Sequence, residues 1–231
     1  MTIPLNTLVL PALALAYNCG SAAAARLFGV KVHEFGLGFG PCLVRGMWRG
    51  TELRLNLLFF AGAYVRMSCP EHVEECRDTP PARPEPPGIH LSELNPVLAA
   101  LLFLAGPAAS LLVAAVALGV DPALGSFARG FWQPWLFLAE PFSGPPRLGR
   151  AALHLFTAAP AAQCAGVLGA KFAAWNLLPI PPLNGFHVLK LLAVGHREPR
   201  GLAPLMNAGF VLLLSILLLG IHALWATWRA W

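Results

Sequence analysis

Four stretches of this chain run for about 20 residues with at most one charged side chain, which is the length that crosses the hydrocarbon core of a bilayer as a helix. They lie at about 3–25, 96–120, 156–178 and 203–225, and only the third is interrupted, by Lys171. Such runs admit few folds, because backbone groups placed in hydrocarbon must be satisfied inside the segment itself. Composition points the same way. With 57% apolar and 12% charged residues, a chain of 231 residues has too few charges to cover the surface of a soluble domain. The expectation is an all-α polytopic membrane protein, a single membrane domain over residues 1–231 with about four transmembrane helices. The opening "MTIPLN" lacks a basic region and "AYNC" lacks the small residues of a lipoprotein cleavage site, so the first run reads as a retained span.

Lysine and arginine orient the spans. Residues 26–95 carry eight of them, residues 121–155 three and residues 179–202 three, which sends the first and third connections to the cytoplasm. Both termini are then extracytoplasmic, with Trp225, Trp228 and Trp231 placed as an aromatic anchor at the outer interface. The net charge of +5 comes from basic residues scattered between apolar runs, with no stripe or block. The expected partner is therefore the lipid bilayer and no nucleic acid.

The first connection contains alternating sequence. In "TELRLNL" (51–57), Leu53, Leu55 and Leu57 share one face and Glu52, Arg54 and Asn56 the other, while "VHEFGLGFG" (32–40) places Gly36, Gly38 and Gly40 at every second position. Two strands with a turn near "WRG" are expected, a small β-hairpin at about 31–67 in the first cytoplasmic loop. "TPPARPEPPG" (79–88) is too rich in proline for either regular element and reads as a linker. The five cysteines form no CxxC pair, and a Cys69–Cys76 bridge would need an oxidising compartment that this topology does not give. The aromatic stretch at 127–142 reads as an interfacial segment.

Four blocks, "ARLFGVKVHEFGLGFGP" (25–41), "AGAYVRM" (61–67), "AGPAAS" (105–110) and "NLLPIPPLNGFHVLK" (176–190), occur in order and at compatible separations. Together they resemble the site-2 protease family of intramembrane zinc metalloproteases, in a compact form without the PDZ domain usual between the second and third spans. The last block is the most specific. The family's Asn-x-x-Pro-x-x-Pro-Leu-Asp-Gly pattern is kept at Asn176, Pro179, Pro182, Leu183 and Gly185, which the resemblance makes site-lining residues together with Phe186. Phe186 adds bulk where the family commonly has a second glycine. The resemblance also implies a bacterial cytoplasmic membrane.

Zinc hydrolysis needs three protein ligands, an open position for water and a carboxylate base. The family supplies them through His-Glu-x-x-His on a helix and the aspartate of the last block. Aligned on "ARLFGV", the ligand positions here are Tyr17 and Ser21, the general-base position is Asn18, and the third ligand position is Asn184. These are neutral groups that bind zinc poorly, and an amide takes no proton near neutral pH. No catalytic residue, metal ligand or cofactor is expected, zinc being the cofactor of active relatives only. All four side chains can hydrogen-bond, so they either form a polar cluster between spans or pack independently.

Three functions follow. The first is an inactive pseudoprotease that binds transmembrane segments of other membrane proteins or an active homologue. An active protease with an unrecognised site is the second, for which Cys19, Cys164 and His187 are the remaining ligating residues; Cys19 projects roughly 160–200° from the face of positions 17 and 21 on the helical repeat. The third is a small transporter-like subunit, for which Lys171 is the one charge within a span.

Overall fold

A computed structural model describes residues 5–68, 88–140, 144–197 and 201–229 of the chain. The linker up to residue 87, Cys69 and Cys76 lie outside the described residues. After a 3-10 turn at Leu5–Leu8 come α1 (Val9–Leu27), β1 (Val32–Trp48), β2 (Thr51–Met67) and a 3-10 turn at Leu91–Glu93. Then follow α2 (Pro96–Leu118), α3 (Val120–Ala139), α4 (Gly144–Ala158), α5 (Ala161–Asn176), α6 (Asn184–Val194) and α7 (Leu202–Arg229). Two of these helices are long and apolar enough to cross a membrane, Pro96–Leu118 and the Leu202–His222 part of α7, each with a mean hydropathy of 2.3. The chain divides into two compact units. One comprises Leu10–Ala109 with Val188–Arg197, the other Met1–Val9, Ser110–His187 and Glu198–Trp231.

In the first unit, β1 and β2 form the expected antiparallel hairpin, with strands of 17 residues each. Its two-residue turn is Arg49–Gly50, both with positive φ (48° and 80°), the backbone that matches the twist of a tight hairpin. Residues 34–37 are paired on both edges, with 52–55 on one and 63–66 on the other, so the strands fold back into a wider sheet at that point. The alternation in "TELRLNL" is turned with its polar face inward: Glu52 and Asn56 are buried, as are Glu34 and Thr51, while Leu53 and Leu57 are exposed. Buried carboxylates are costly unless paired. Glu34 accepts from the Tyr64 hydroxyl and lies 3.2 Å from Arg54; Glu52 lies 2.9 Å from Arg45 and 3.0 Å from Arg54.

The sheet is held to α1 next to the hairpin turn. Arg26, in the last turn of α1, stacks 4.1 Å over the Trp48 ring and donates to Thr51 Oγ1 at 2.9 Å. Thr51 in turn donates to the Val32 carbonyl at 2.8 Å. Below the sheet, Ala25, Val30, Val32, Leu94, Ala99, Ala100, Leu102 and Leu191 form the apolar core of this unit.

The Tyr64 hydroxyl loses water on folding and donates to Glu34, and both effects raise its pKa above the ordinary value near 10. A raised folded pKa means that the associated stability is complete below the unfolded value near 10 and is lost as pH rises through the higher folded value. Since Tyr17 is the other of two tyrosines, phenolate absorbance of a Tyr17→Phe variant reports Tyr64 alone. Its midpoint is expected above 10, and a midpoint at or below 10 contradicts the buried hydroxyl–carboxylate pair.

In the second unit, α2 ends at Leu118 because Gly119 takes φ 85°, and α3 starts directly afterwards. The stretch at 127–142, expected as an interfacial segment, lies in α3 as far as Ala139. α3 packs on α5 where Gly130 admits Ala174 and Lys171: a Cβ there would lie 2.8 Å from Ala174 Cβ. The third apolar run does not form one helix from residue 156. α4 ends at Ala158, Pro160 stands at the N-cap of α5, and the helix through that run begins at Ala161. Proline has no N–H for the helical ladder and clashes with the preceding turn, so it starts a helix but does not continue one. Asn6 closes the break by donating to the carbonyls of Phe156 (2.8 Å) and Ala159 (3.0 Å), which the end of α4 leaves without helical partners.

Candidate functional site

Tyr17, Asn18 and Ser21 lie on two faces of α1. A helix returns to the same face after four residues, so 17 and 21 coincide while 18 is turned by about 100°. Tyr17 and Ser21 both face Gly106 of α2: a Cβ at Gly106 would lie 2.7 Å from the Tyr17 ring and 2.8 Å from Ser21 Oγ. One turn along, Gly20 meets Ala105 and Ala109 in the same way, with a Cβ 2.7 Å from the Ala105 carbonyl oxygen. The small residues of "AGPAAS" thus let α1 approach α2 closely at these positions. Ser21 Oγ donates to the Tyr17 carbonyl at 3.3 Å.

Asn18 points elsewhere and is buried, with 8% of its surface exposed. Its amide nitrogen donates to two carbonyls, Ala14 in its own helix at 2.8 Å and Ala63 in β2 at 3.0 Å. An ionised glutamate at this place has no proton for either oxygen. Cys19 is exposed, as its helical position requires.

In the other unit, α5 ends at Asn176, which donates from Nδ2 to the Phe172 carbonyl at 2.9 Å. Residues 177–183 then turn the chain into α6: Leu178 N–H donates to Trp175 O (3.2 Å) and Leu183 N–H to Ile180 O (2.8 Å). Pro179 and Pro182 are exposed on this turn, and the Pro181–Pro182 bond is cis. Asn184 opens α6 and is half-buried. Gly185 brings α6 onto the end of α5: a Cβ there would fall on the Leu177 carbonyl and 2.6 Å from Leu178 O. Phe186 is half-buried and meets the His187 ring edge to face at 5.9 Å. From α7, Gly209 seats against Pro181, with a Cβ 2.9 Å from its Cδ. The proline turn is therefore clamped between α5, α6 and α7.

The family model for peptidase family M50 matches residues 7–217 of the chain, nearly its whole length and both of these motif regions. The chain belongs to peptidase family M50. Two curated relatives carry the name "Putative zinc metalloprotease". That of Thermotoga maritima is 43% identical over 67 residues, 29% of this chain and 13% of the relative. That of Treponema pallidum is 32% identical over 130 residues, 56% of this chain and 28% of the relative. The matched stretches thus span under a third of either relative's length.

Tyr17, Asn18 and Ser21 stand where the resemblance puts the family's metal and base positions, and all three are uncharged side chains. Tyr17 is packed against Gly106, the Ser21 hydroxyl is directed to its own helix, and Asn18 is fixed as a hydrogen-bond donor. Among the described residues, no three His, Cys, Asp or Glu side chains are grouped to hold a metal. The small residues at 105, 106 and 109 already mark a close helix approach in the sequence, and the structure makes Gly106 the seat of positions 17 and 21. The Ala63 carbonyl as the partner of Asn18 was not picked out by sequence reasoning, because a backbone carbonyl has no side-chain signature.

The contact at Gly106 has a measurable consequence. Gly106→Ala is expected to destabilise the chain by about 1–3 kcal/mol through overpacking. Combining it with Tyr17→Ala removes the ring that the new methyl meets, so the double variant should lose less than the sum of the two single losses. Additive losses in thermal melts would contradict the contact.

Proposed function

We propose that this M50 chain is a noncatalytic member of its family, an integral membrane protein that binds transmembrane segments of other membrane proteins or of an active homologue. The observation that carries this reading is Asn18. At the position where the family places its general base, the side chain is an amide donating to two carbonyls, so the site is built around a donor where hydrolysis requires a proton acceptor. Tyr17, Ser21 and Asn184 at the ligand positions support it, since none is a usual zinc ligand. Asn176, Pro179, Pro182, Gly185 and Phe186 keep the architecture that borders the substrate in active relatives, and this turn is the part that retains binding. Lipid and protein segments are then its partners and zinc is not its cofactor. The four-span arrangement, with both termini outside a bacterial cytoplasmic membrane, belongs to the same reading.

Elemental analysis of the purified, detergent-solubilised full chain after exposure to zinc tests it. Less than about a tenth of an equivalent is expected, because a structural or catalytic zinc site requires three or four ligands held together. Retention of one equivalent would overturn the proposal.

A further inference from the structure

We propose that the free edge of the β1–β2 sheet, residues 43–48, is a dimer interface, on which a second copy of this chain adds the same strand antiparallel across a two-fold axis at Gly46. The strand pairing leaves that edge open. Residues 34–37 of β1 pair with 63–66 on one side and with 52–55 on the other, and 51–56 pairs on its far side with 42–48, so the sheet runs 63–66, 34–37, 51–56, 42–48. The 63–66 edge is covered, since Asn18 of α1 donates to the Ala63 carbonyl and Val65 packs on the apolar core. Along the opposite edge residues 41–49 are all exposed, Val44 by 61% and Trp48 by 52%, and among the described residues no further strand pairs with it. An open edge is a row of backbone donors and acceptors that another strand can satisfy.

The turn fixes which groups those are. In a two-residue hairpin the flanking residues, here Trp48 and Thr51, form the first hydrogen-bonded pair, and bonded pairs alternate along the strands from there. Gly46 and Val44 therefore bond inward to β2, whereas the N–H and C=O of Arg45 and Met47 point outward. A second copy must set outward residues against outward residues. Centred on Arg45, the pairing puts Arg45 against itself, and centred on Met47 it puts Arg45 against Arg49; like charges directly opposite destabilise a sheet. Centred on Gly46, it puts Arg45 opposite the second copy's Met47, Val44 opposite its Trp48 and Leu43 opposite its Arg49, so no two cations meet. Gly46 brings no side chain to the axis, and nothing lies within 4 Å of where its Cβ would be. Arg45 is already neutralised within its own hairpin by Glu52 at 2.9 Å. Valine against tryptophan is a stabilising cross-strand pair. The edge is thus complementary to itself in one register, which is what a two-fold interface requires and a foreign strand does not.

Disulfide trapping of the full chain in membranes tests the register, because a contact of this small size makes a reversible dimer. With Cys19, Cys42, Cys69 and Cys76 replaced by serine, Val44→Cys, Gly46→Cys and Trp48→Cys are made one at a time. The Cα atoms of the two Gly46 residues would lie about 4.5 Å apart, as in a non-hydrogen-bonded antiparallel pair, within disulfide reach. The two copies of position 44, or of 48, would stand four residues out of step, about 13 Å at about 3.3 Å per residue. Gly46→Cys is therefore expected to give at least about fivefold more cross-linked dimer than either neighbour. In the Gly46→Cys background, Met47→Pro removes an outward N–H that the hairpin itself does not use and should weaken the dimer about thirtyfold. Met47→Lys should weaken it about threefold by setting a second cation against Arg45; it stands opposite Glu52 in its own hairpin, so the fold tolerates it, and it decides the question if Met47→Pro does not fold. A yield highest at 44 or 48, no dimer at any position, or yields unchanged by Met47→Lys would overturn the proposal. Cross-links from position 46 to other membrane proteins, without a copy-to-copy product, would overturn it in favour of a foreign strand. The outcome is independent of zinc content, so this interface and the noncatalytic reading fail separately.

Discussion

Asn18→Glu, which places a carboxyl group where the resemblance puts the family's general base, is expected to destabilise the chain by about 3–5 kcal/mol. The native amide gives its two protons to the Ala14 and Ala63 carbonyls from a buried position. An ionised carboxylate there meets two oxygens with no proton to offer and is left as an unpaired buried charge, the class of change with the largest penalties. For a chain of this size each kcal/mol is worth about 2–4 °C in melting temperature, so a fall on the order of 10 °C is expected. Asn18→Ala should cost about 1–3 kcal/mol, since it leaves the Ala63 carbonyl without that donor but adds no charge. Thermal melts of the detergent-solubilised variants measure both. If glutamate is tolerated better than alanine, position 18 accepts a base and the donor role is wrong.

Gly185→Ala is the second large effect. The methyl would fall on the Leu177 carbonyl and lie 2.6 Å from that of Leu178, so it meets backbone on both sides. A long side chain can rotate away from such a clash; a helix end held by its neighbours cannot. A loss of about 3 kcal/mol or more is expected, at the upper end of overpacking changes, together with faster proteolysis in the turn at 177–183. Gly46→Ala in β1 is the control. Nothing lies within 4 Å of its added carbon, and it should change stability by about 1 kcal/mol or less. Equal losses at 185 and 46 would show that the proline turn is not clamped in the way described.

Family and element positions were legible in the sequence because they depend on local pattern. Charge-free runs of span length placed α2 and α7, alternation and "WRG" placed the hairpin and its turn, and the ordered blocks at 25–41, 61–67, 105–110 and 176–190 carried the family. The start of the third run was missed by five residues, although Pro160 marked it, because hydropathy has no term for a missing N–H. Alternation also shows that two faces of a strand differ without saying which one is covered. Glu34, Glu52 and Asn56 are inside because Arg45, Arg54, Tyr64 and the Gly38 carbonyl come to meet them, and those partners stand up to 30 residues away. The same holds for the site. The sequence by itself determined which residue types stand at 17, 18, 21 and 184. Only the tertiary structure decided what positions 17, 18 and 21 do instead, because the seat of Tyr17 on Gly106 and the bond from Asn18 to Ala63 join residues about 90 and 45 apart, and such contacts form only when the helices and the sheet pack.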